Sequence, residues 1–335
     1  MTIRRKALIG LGAGTLVALP LLAAERQETL ARECRADGGP VCERRGALRE
    51  QVQERLKQRL QQRGERTEWR ERGIGRYASA RVSGTVIYGG DLRQQVDLYV
   101  PDQATGDAPL IVYIHGGGWQ IGNHKRVEDK PGYFTGKGYV FASAGYRLLP
   151  QAPVEQQAAD LGEALRSLRS AAEDYGFDPD KIVLMGHSAG AHLAALIAAD
   201  PKYAGDAFGA IKGVVLLDGA GYDVALAIAT PTMELPLLYR DVFGTDPARH
   251  KALSPVSHAG GRNAPDWLAL YVAERATSKA QTERLVAALK QGGTRAEALA
   301  IAGTDHGRMN REIGTPEGAA QTQAIDAFLA RILVR

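Results

Sequence analysis

The stretch Ile182-Val-Leu-Met-Gly-His-Ser-Ala-Gly-Ala-His-Leu-Ala-Ala-Leu, residues 182–196, passes from a short apolar strand through a glycine-flanked turn into an alanine-rich helix. Its centre, Gly186-His187-Ser188-Ala189-Gly190, has the form Gly-x-Ser-x-Gly. A serine at such a turn sits on strained backbone, so its hydroxyl projects at the head of a sheet. The flanking glycines let strand and helix approach without Cβ clashes. The helix that follows aims its free N–H groups at any negative charge developing there. Ser188 is the candidate nucleophile, and His187 beside it is a candidate pocket residue.

Upstream, another apolar run, Leu110 to His115, ends in His115-Gly116-Gly117-Gly118-Trp119. Three glycines in a row after a buried strand serve no packing purpose, but they let backbone amides face a cavity. The N–H groups of Gly116, Gly117 and Ala189 are the expected oxyanion donors. A phosphate loop is the competing reading, and neither its spacing nor its Lys-Ser/Thr is present.

The same texture spreads outward. Strand-like runs at Thr85–Tyr88, Gln95–Val100, Leu110–His115, Val140–Ala144, Ile182–Met185, Val214–Leu217 and Trp267–Val272 alternate with helical stretches such as 154–175 and 189–199. Asp178-Pro179-Asp180 reads as a turn feeding the strand that follows it. This pattern predicts an α/β class: a mostly parallel sheet covered by helices on both faces. Asp305-His306 near the end, in Gly303-Thr-Asp-His-Gly-Arg, holds the one histidine of seven that lies beyond the last of these strands, where a base should fall. His115 reads as a structural hydrogen-bonder of the glycine loop. His124, His250 and His258 read as exposed loop residues.

The order strand, His-Gly-Gly-Gly-Trp, helix, strand, Tyr146-Arg147-Leu148, helix, strand, Gly-His-Ser-Ala-Gly resembles the esterase/lipase branch of the α/β-hydrolase superfamily. More narrowly it resembles the carboxylesterase, feruloyl-esterase-like and kynurenine-formamidase-like group, over about residues 80 to 332. The resemblance implies the α/β-hydrolase fold with a small insertion after strand 6, and a serine esterase that uses Ser188 and His306. Relatives carry an aspartate after the strand Trp267–Val272, but here the loop reads Ala273-Glu274-Arg275. Glu274 is therefore the expected orienting acid, with Asp223 as its main rival. Trp119 and Tyr222, with Leu235, Leu238 and Tyr239, are candidate substrate-pocket residues. No metal or other cofactor is implied, and the expected partner is a small-molecule ester. An amidase or arylformamidase using the same residues stays open, as does a non-catalytic binding protein of this fold.

The first 75 residues lie outside that resemblance. Arg4, Arg5 and Lys6 precede the apolar run Ala7–Leu22, and Ala23-Ala24 could precede a cut, which predicts an export signal over 1–24. Sixteen apolar residues fall short of the roughly 20 that a span needs, although Leu22 fits the cut poorly and leaves a retained anchor open. Export would make the protein periplasmic or secreted, and would make Cys34 and Cys42 a disulfide. Residues 25–75 read as a basic helical extension, and 76–335 as the catalytic domain.

Charge supports this division. The chain carries +4 overall, but residues 43–76 hold +5 and residues 77–335 sum to −3. The main domain is thus not basic, which disfavours nucleic acid as a partner. Leu48, Val52, Leu56 and Leu60 give the extension one narrow apolar stripe. It suits a solvated helix or, more sharply, weak contact of residues 43–72 with an anionic membrane surface.

Overall fold

The computed structural model describes residues 81–104, 106–230 and 238–333, all within one compact unit, Tyr77–Arg335. The expected export signal, the Cys34–Cys42 disulfide, the helix at 43–72 and Leu235 lie outside the described residues.

Among the described residues eight strands form one sheet: β1 (Gly84–Ile87), β2 (Gln95–Tyr99), β3 (Ala108–Ile114), β4 (Val140–Ala144), β5 (Phe177–His187), β6 (Ile211–Leu217), β7 (Asp266–Val272) and β8 (Arg295–Ile301). Their order is β1-β2-β4-β3-β5-β6-β7-β8. β2 runs antiparallel to both β1 and β4, and every later pairing is parallel. The sheet is mostly parallel, as expected.

The central strands explain why helices must cover both faces. Leu110, Val112 and Ile114 of β3 join one apolar cluster, and Ile111 and Tyr113 join the other. β5 alternates the same way, with Ile182 and Leu184 on one side and Val183 and Met185 on the other. One cluster is closed by the helices Val154–Ser170, Ala189–Ala199 and Ala276–Gln291. The opposite one is closed by Phe134 of Lys130–Thr135 and by Ile325, Phe328 and Leu329 of Ala319–Ile332. A parallel sheet stripped of either layer would expose a continuous Val/Ile/Leu surface.

Two local readings change. Asp178-Pro179-Asp180 lies within β5, not ahead of it, but its backbone is bulged. Ala108 pairs with Phe177 and Leu110 next pairs with Ile182, while Asp178 Oδ1 accepts the Asp180 amide at 2.9 Å. The turn chemistry is real, but it sits inside the strand as an irregularity. β8 was not anticipated. Arg295-Ala-Glu-Ala-Leu-Ala-Ile consists mostly of helix formers, and as the outermost strand it pairs only with β7, leaving four of its seven residues exposed.

Between β6 and β7 the described chain forms the short helices Val224–Ala229, Leu238–Phe243 and Pro247–Ala252 and one 3₁₀ turn, Pro255–His258. This is the expected insertion after strand 6. It sits beyond the carboxyl ends of the parallel strands, the edge at which sites form in such sheets.

Candidate active site

β5 delivers Ser188 to the sheet edge in a conformation that few residues adopt, φ 56° and ψ −120°. Backbone of this kind costs of the order of 1–3 kcal/mol and persists only when its surroundings enforce it. The enforcement here is steric. A Cβ on Gly186 would lie 2.3 Å from the Gly190 carbonyl oxygen, and one on Gly190 would lie 2.2 Å from that of Ile114. Strand β5, its helix and strand β3 are thus in contact through bare backbone at the turn.

The glycine loop is pressed against the same serine. A Cβ on Gly116 would meet Ser188 Cβ at 3.0 Å. Gly117, Gly118 and Trp119 then take positive φ values of 135°, 59° and 61°, coiling the loop tightly. Ala189, the first residue of the helix after the serine, has its amide at the helix N-terminus. Tyr146 supports the loop from below. Its hydroxyl donates to the His115 carbonyl at 2.7 Å, and its ring stacks on that of His115 at 4.4 Å. His115 Nδ1–H donates to the Gly116 carbonyl at 2.9 Å. His115 is a buried bracing residue, in keeping with its expected role.

His306 lies in the loop after β8, with Nε2 3.0 Å from Ser188 Oγ. Its Nδ1 is 2.6 Å from Oδ2 of Asp218. Glu274 is exposed at the rim of the cavity and is not among the groups that bond His306. Asp223 caps the helix Val224–Ala229 through the Leu226 amide and pairs with Arg284. The carboxylate that meets His306 is therefore Asp218, the residue directly after β6, and neither Glu274 nor Asp223 takes the place expected of it.

Asp218 has no exposed side-chain surface. Its φ of +45° turns the carboxylate inward, its amide donates to the Leu270 carbonyl at 2.8 Å, and its Oδ1 accepts the Val272 amide at 3.0 Å. β7 thus grips an acid that β6 supplies. Burial alone would raise the pKa of this carboxyl, but hydrogen bonds from His306, Ser278 and Val272 and the charge of Arg275 hold it well below the usual carboxylate range. The signal in the sequence was Leu217-Asp218-Gly219, an aspartate closing an apolar strand and followed by glycine.

Arg275 was not anticipated either. Its guanidinium lies against Asp218 Oδ2, and Nη1 is 2.7 Å from His306 Nδ1.

Two further groups hold the His306 loop. His187 Nε2–H donates to the His306 carbonyl at 2.8 Å, and the two rings are 4.6 Å apart. The Tyr113 hydroxyl donates to Asn310 Oδ1 at 2.9 Å, one turn further on. His187 is therefore a brace behind the base, not a cavity-lining residue, and burial pushes its pKa down to about 3.

The cavity at Ser188 has a volume of about 690 Å³. Its lining includes the apolar Trp119, Ala220, Leu238 and Tyr239 with Gly118, and the polar Glu274, Arg275, Asp305 and His306. Trp119 is where expected. Tyr222 is not: it is fully buried beside Gly219, beneath the cavity and not in its lining. Trp119 is fixed by its Nε1–H, which donates to His192 Nδ1 at 3.2 Å, while His192 Nε2–H donates to the Leu253 carbonyl at 2.9 Å. His124 and His250, expected to be exposed, are buried, His124 beside Asp97 and His250 donating to the Gly244 carbonyl. Among the described residues no group of three or more His, Cys, Asp or Glu is arranged to hold a metal ion.

A family model described as BD-FAE matches residues 96–207. That span holds the glycine loop and the serine turn but ends before Asp218 and His306. A probable isoprenylcysteine alpha-carbonyl methylesterase of Arabidopsis thaliana is 33% identical over 119 residues, 36% of this chain and 25% of that one. The chain spans only about a quarter of the length of such plant relatives. The kynurenine formamidase of Danio rerio is 28% identical over 226 residues, 66% of this chain and 73% of its own length. Among solved structures, esterase 2 of Thermogutta terrifontis phosphonylated by sarin aligns at 26% identity with a TM-score of 0.64. The alignment covers 76% of this chain and 96% of that one.

Proposed function

We propose that the chain is a member of the esterase/lipase branch of the α/β-hydrolase superfamily and that it hydrolyses small carboxylic esters through an acyl-enzyme on Ser188. The observation that carries this reading is the continuous chain Ser188 Oγ, His306, Asp218, with links of 3.0 and 2.6 Å.

In the proposed reaction Ser188 Oγ adds to the ester carbonyl carbon while His306 Nε2 takes the hydroxyl proton. Asp218 holds the ring so that Nδ1 carries the other hydrogen and steadies the imidazolium that forms. The amides of Gly116, Gly117 and Ala189 receive the oxyanion. His306 then gives its proton to the departing alkoxide, and water resolves the acyl-enzyme by the same steps in reverse. These steps use side chains and amides of this chain.

A second reading has a specific support. The similarity to kynurenine formamidase covers more of this chain than that to the plant methylesterases, so cleavage of an aryl formamide by the same residues is the alternative. The basic residues Arg4, Arg5 and Lys6 ahead of the apolar run Ala7–Leu22 support export to the periplasm or beyond, where the positive charge of residues 43–72 would favour an anionic surface.

The test is hydrolysis of a p-nitrophenyl ester series from acetate to palmitate, run beside Ser188→Ala and beside an aryl formamide. Ester turnover lost in the variant supports the esterase reading. Turnover of the formamide alone transfers the same mechanism to a C–N bond. A folded protein inert to both refutes the catalytic reading.

A further inference from the structure

A ring nitrogen holds one hydrogen or one lone pair, and this limits what His306 can do beside Arg275. Nδ1 is within reach of both Asp218 Oδ2, which only accepts, and Arg275 Nη1, which only donates. When Nδ1–H donates to Asp218, Nε2 is free to take the Ser188 proton. When Nδ1 instead accepts from Arg275, the hydrogen sits on Nε2 and points at Ser188 Oγ, and the ring cannot act as a base. The arginine also leans on the same carboxylate oxygen that must orient the ring. Where it stands, Arg275 competes with the triad.

Arg275 is also positioned to leave. Its side chain is 27% exposed, while Asp218 has no exposed side-chain surface. It is the one cation among the described residues that line the cavity, and its Nη1 lies 2.7 Å from His306 Nδ1. The acids there do not occupy it: Glu274 is exposed, and Asp305 Oδ1 accepts the Arg308 amide at 2.7 Å. The group that His306 protonates is the departing alcohol, so the leaving portion of a substrate must lie beside His306, where Arg275 also stands. A planar guanidinium there matches a carboxylate with two parallel N–H donors.

We propose that Arg275 is the receptor for an anionic group on the leaving portion of the substrate. Drawing Arg275 off Asp218 and His306 is then what commits the triad to its working tautomer. The inference rests on the ester-hydrolase reading and names its substrate class: esters whose alcohol or phenol half carries a carboxylate.

The test compares 4-acetoxybenzoate, whose departing phenol bears a carboxylate, with its neutral methyl ester, on wild type, Arg275→Ala and Arg275→Gln. Each variant is first checked for a wild-type circular dichroism spectrum. Losing one charge-assisted bidentate contact should raise KM for the anionic ester at least about tenfold more than KM for the neutral one. A measurement on the wild type alone stands beside it. As inhibitors, 4-hydroxybenzoate should bind at least about tenfold more tightly than methyl 4-hydroxybenzoate. An equal loss on both esters would make Arg275 a structural brace and overturn the proposal, as would equal inhibition by the two phenols. Absence of Ser188-dependent turnover on the neutral ester would instead overturn the ester-hydrolase reading.

Discussion

Asp218 Oδ2 lies 2.6 Å from His306 Nδ1, although Asp218 follows β6 and the neighbouring strand β7 is the one that leads into Glu274. The two strands are adjacent and parallel, with Leu217 paired to Leu270. An acid at the end of either strand can therefore reach a base arriving from beyond β8. What selects β6 here is that β7 contributes amides instead: the Val272 N–H holds Asp218 Oδ1.

The acid assignment makes a sharp kinetic prediction. Asp218→Asn keeps the shape but leaves the ring without its anionic partner, and kcat should fall about 10⁴-fold, the loss seen when a serine triad is held in the wrong tautomer. Glu274→Gln should stay within a few-fold of wild type. Initial rates on p-nitrophenyl acetate separate the two, and the reverse ranking would return the role to Glu274.

Why the acid was misread in the sequence, while the serine was not, follows from locality. The serine turn includes a contact as local as Gly186 against Gly190, four residues apart, and its pattern is complete within five letters. The oxyanion loop is nearly as local. Asp218 meets His306 across 88 residues, and its orientation depends on Leu270 and Val272. Nothing in a linear reading marks that convergence, and Asp218 next to Gly219 looks like an ordinary turn. β8 was lost for a related reason, because its alternation of Arg, Ala, Glu and Leu is held by the edge of β7 and not by its own propensity. Arg275 stands next to Glu274 in the sequence, whereas its partner Asp218 lies 57 residues away.

His187 illustrates a role that distance in sequence also concealed. It touches the His306 backbone and not the cavity, so His187→Ala should lower kcat by about 10- to 100-fold through looser placement of the base. KM should be nearly unchanged. A rise in KM with kcat preserved would return His187 to the substrate pocket. Stopped-flow acylation with p-nitrophenyl acetate reads the step directly.

Gly190→Ala tests the backbone contact at the turn. The added Cβ would sit 2.2 Å from the Ile114 oxygen and 2.5 Å from that of His115, both main-chain atoms that cannot rotate away. Overpacking against side chains costs about 1–3 kcal/mol, and a main-chain clash at two points should exceed that, so the variant should melt far below wild type. Gly90→Ala has open space around its Cβ and should melt as wild type does. Thermal unfolding followed by circular dichroism compares the pair, and an equal Tm for the two would refute the steric account.

Histidines that resist protonation in the fold set the last expectation, which concerns pH. Burial pushes His115 and His192 down to about 4 and His187 to about 3, from an unfolded value near 6.5. Between those limits the unfolded chain binds protons that the native chain refuses. Stability therefore rises with pH across this window and is lost as pH falls from about 6.5 toward 4, by up to about 1.4 kcal/mol per histidine per pH unit. The depressed Asp218 acts in the same direction, but only below the ordinary carboxylate range. Urea unfolding at pH 7.5, 6.5, 5.5 and 4.5 should show the midpoint falling well before carboxylates titrate. His192→Gln should make that decline shallower, since one of the refusing rings is gone, even though losing the Trp119 contact lowers its stability at pH 7.5. A midpoint that stays level from pH 7.5 to 5 would mean that these rings accept protons in the native state, and the packing of Trp119 on a neutral His192 would have to be abandoned.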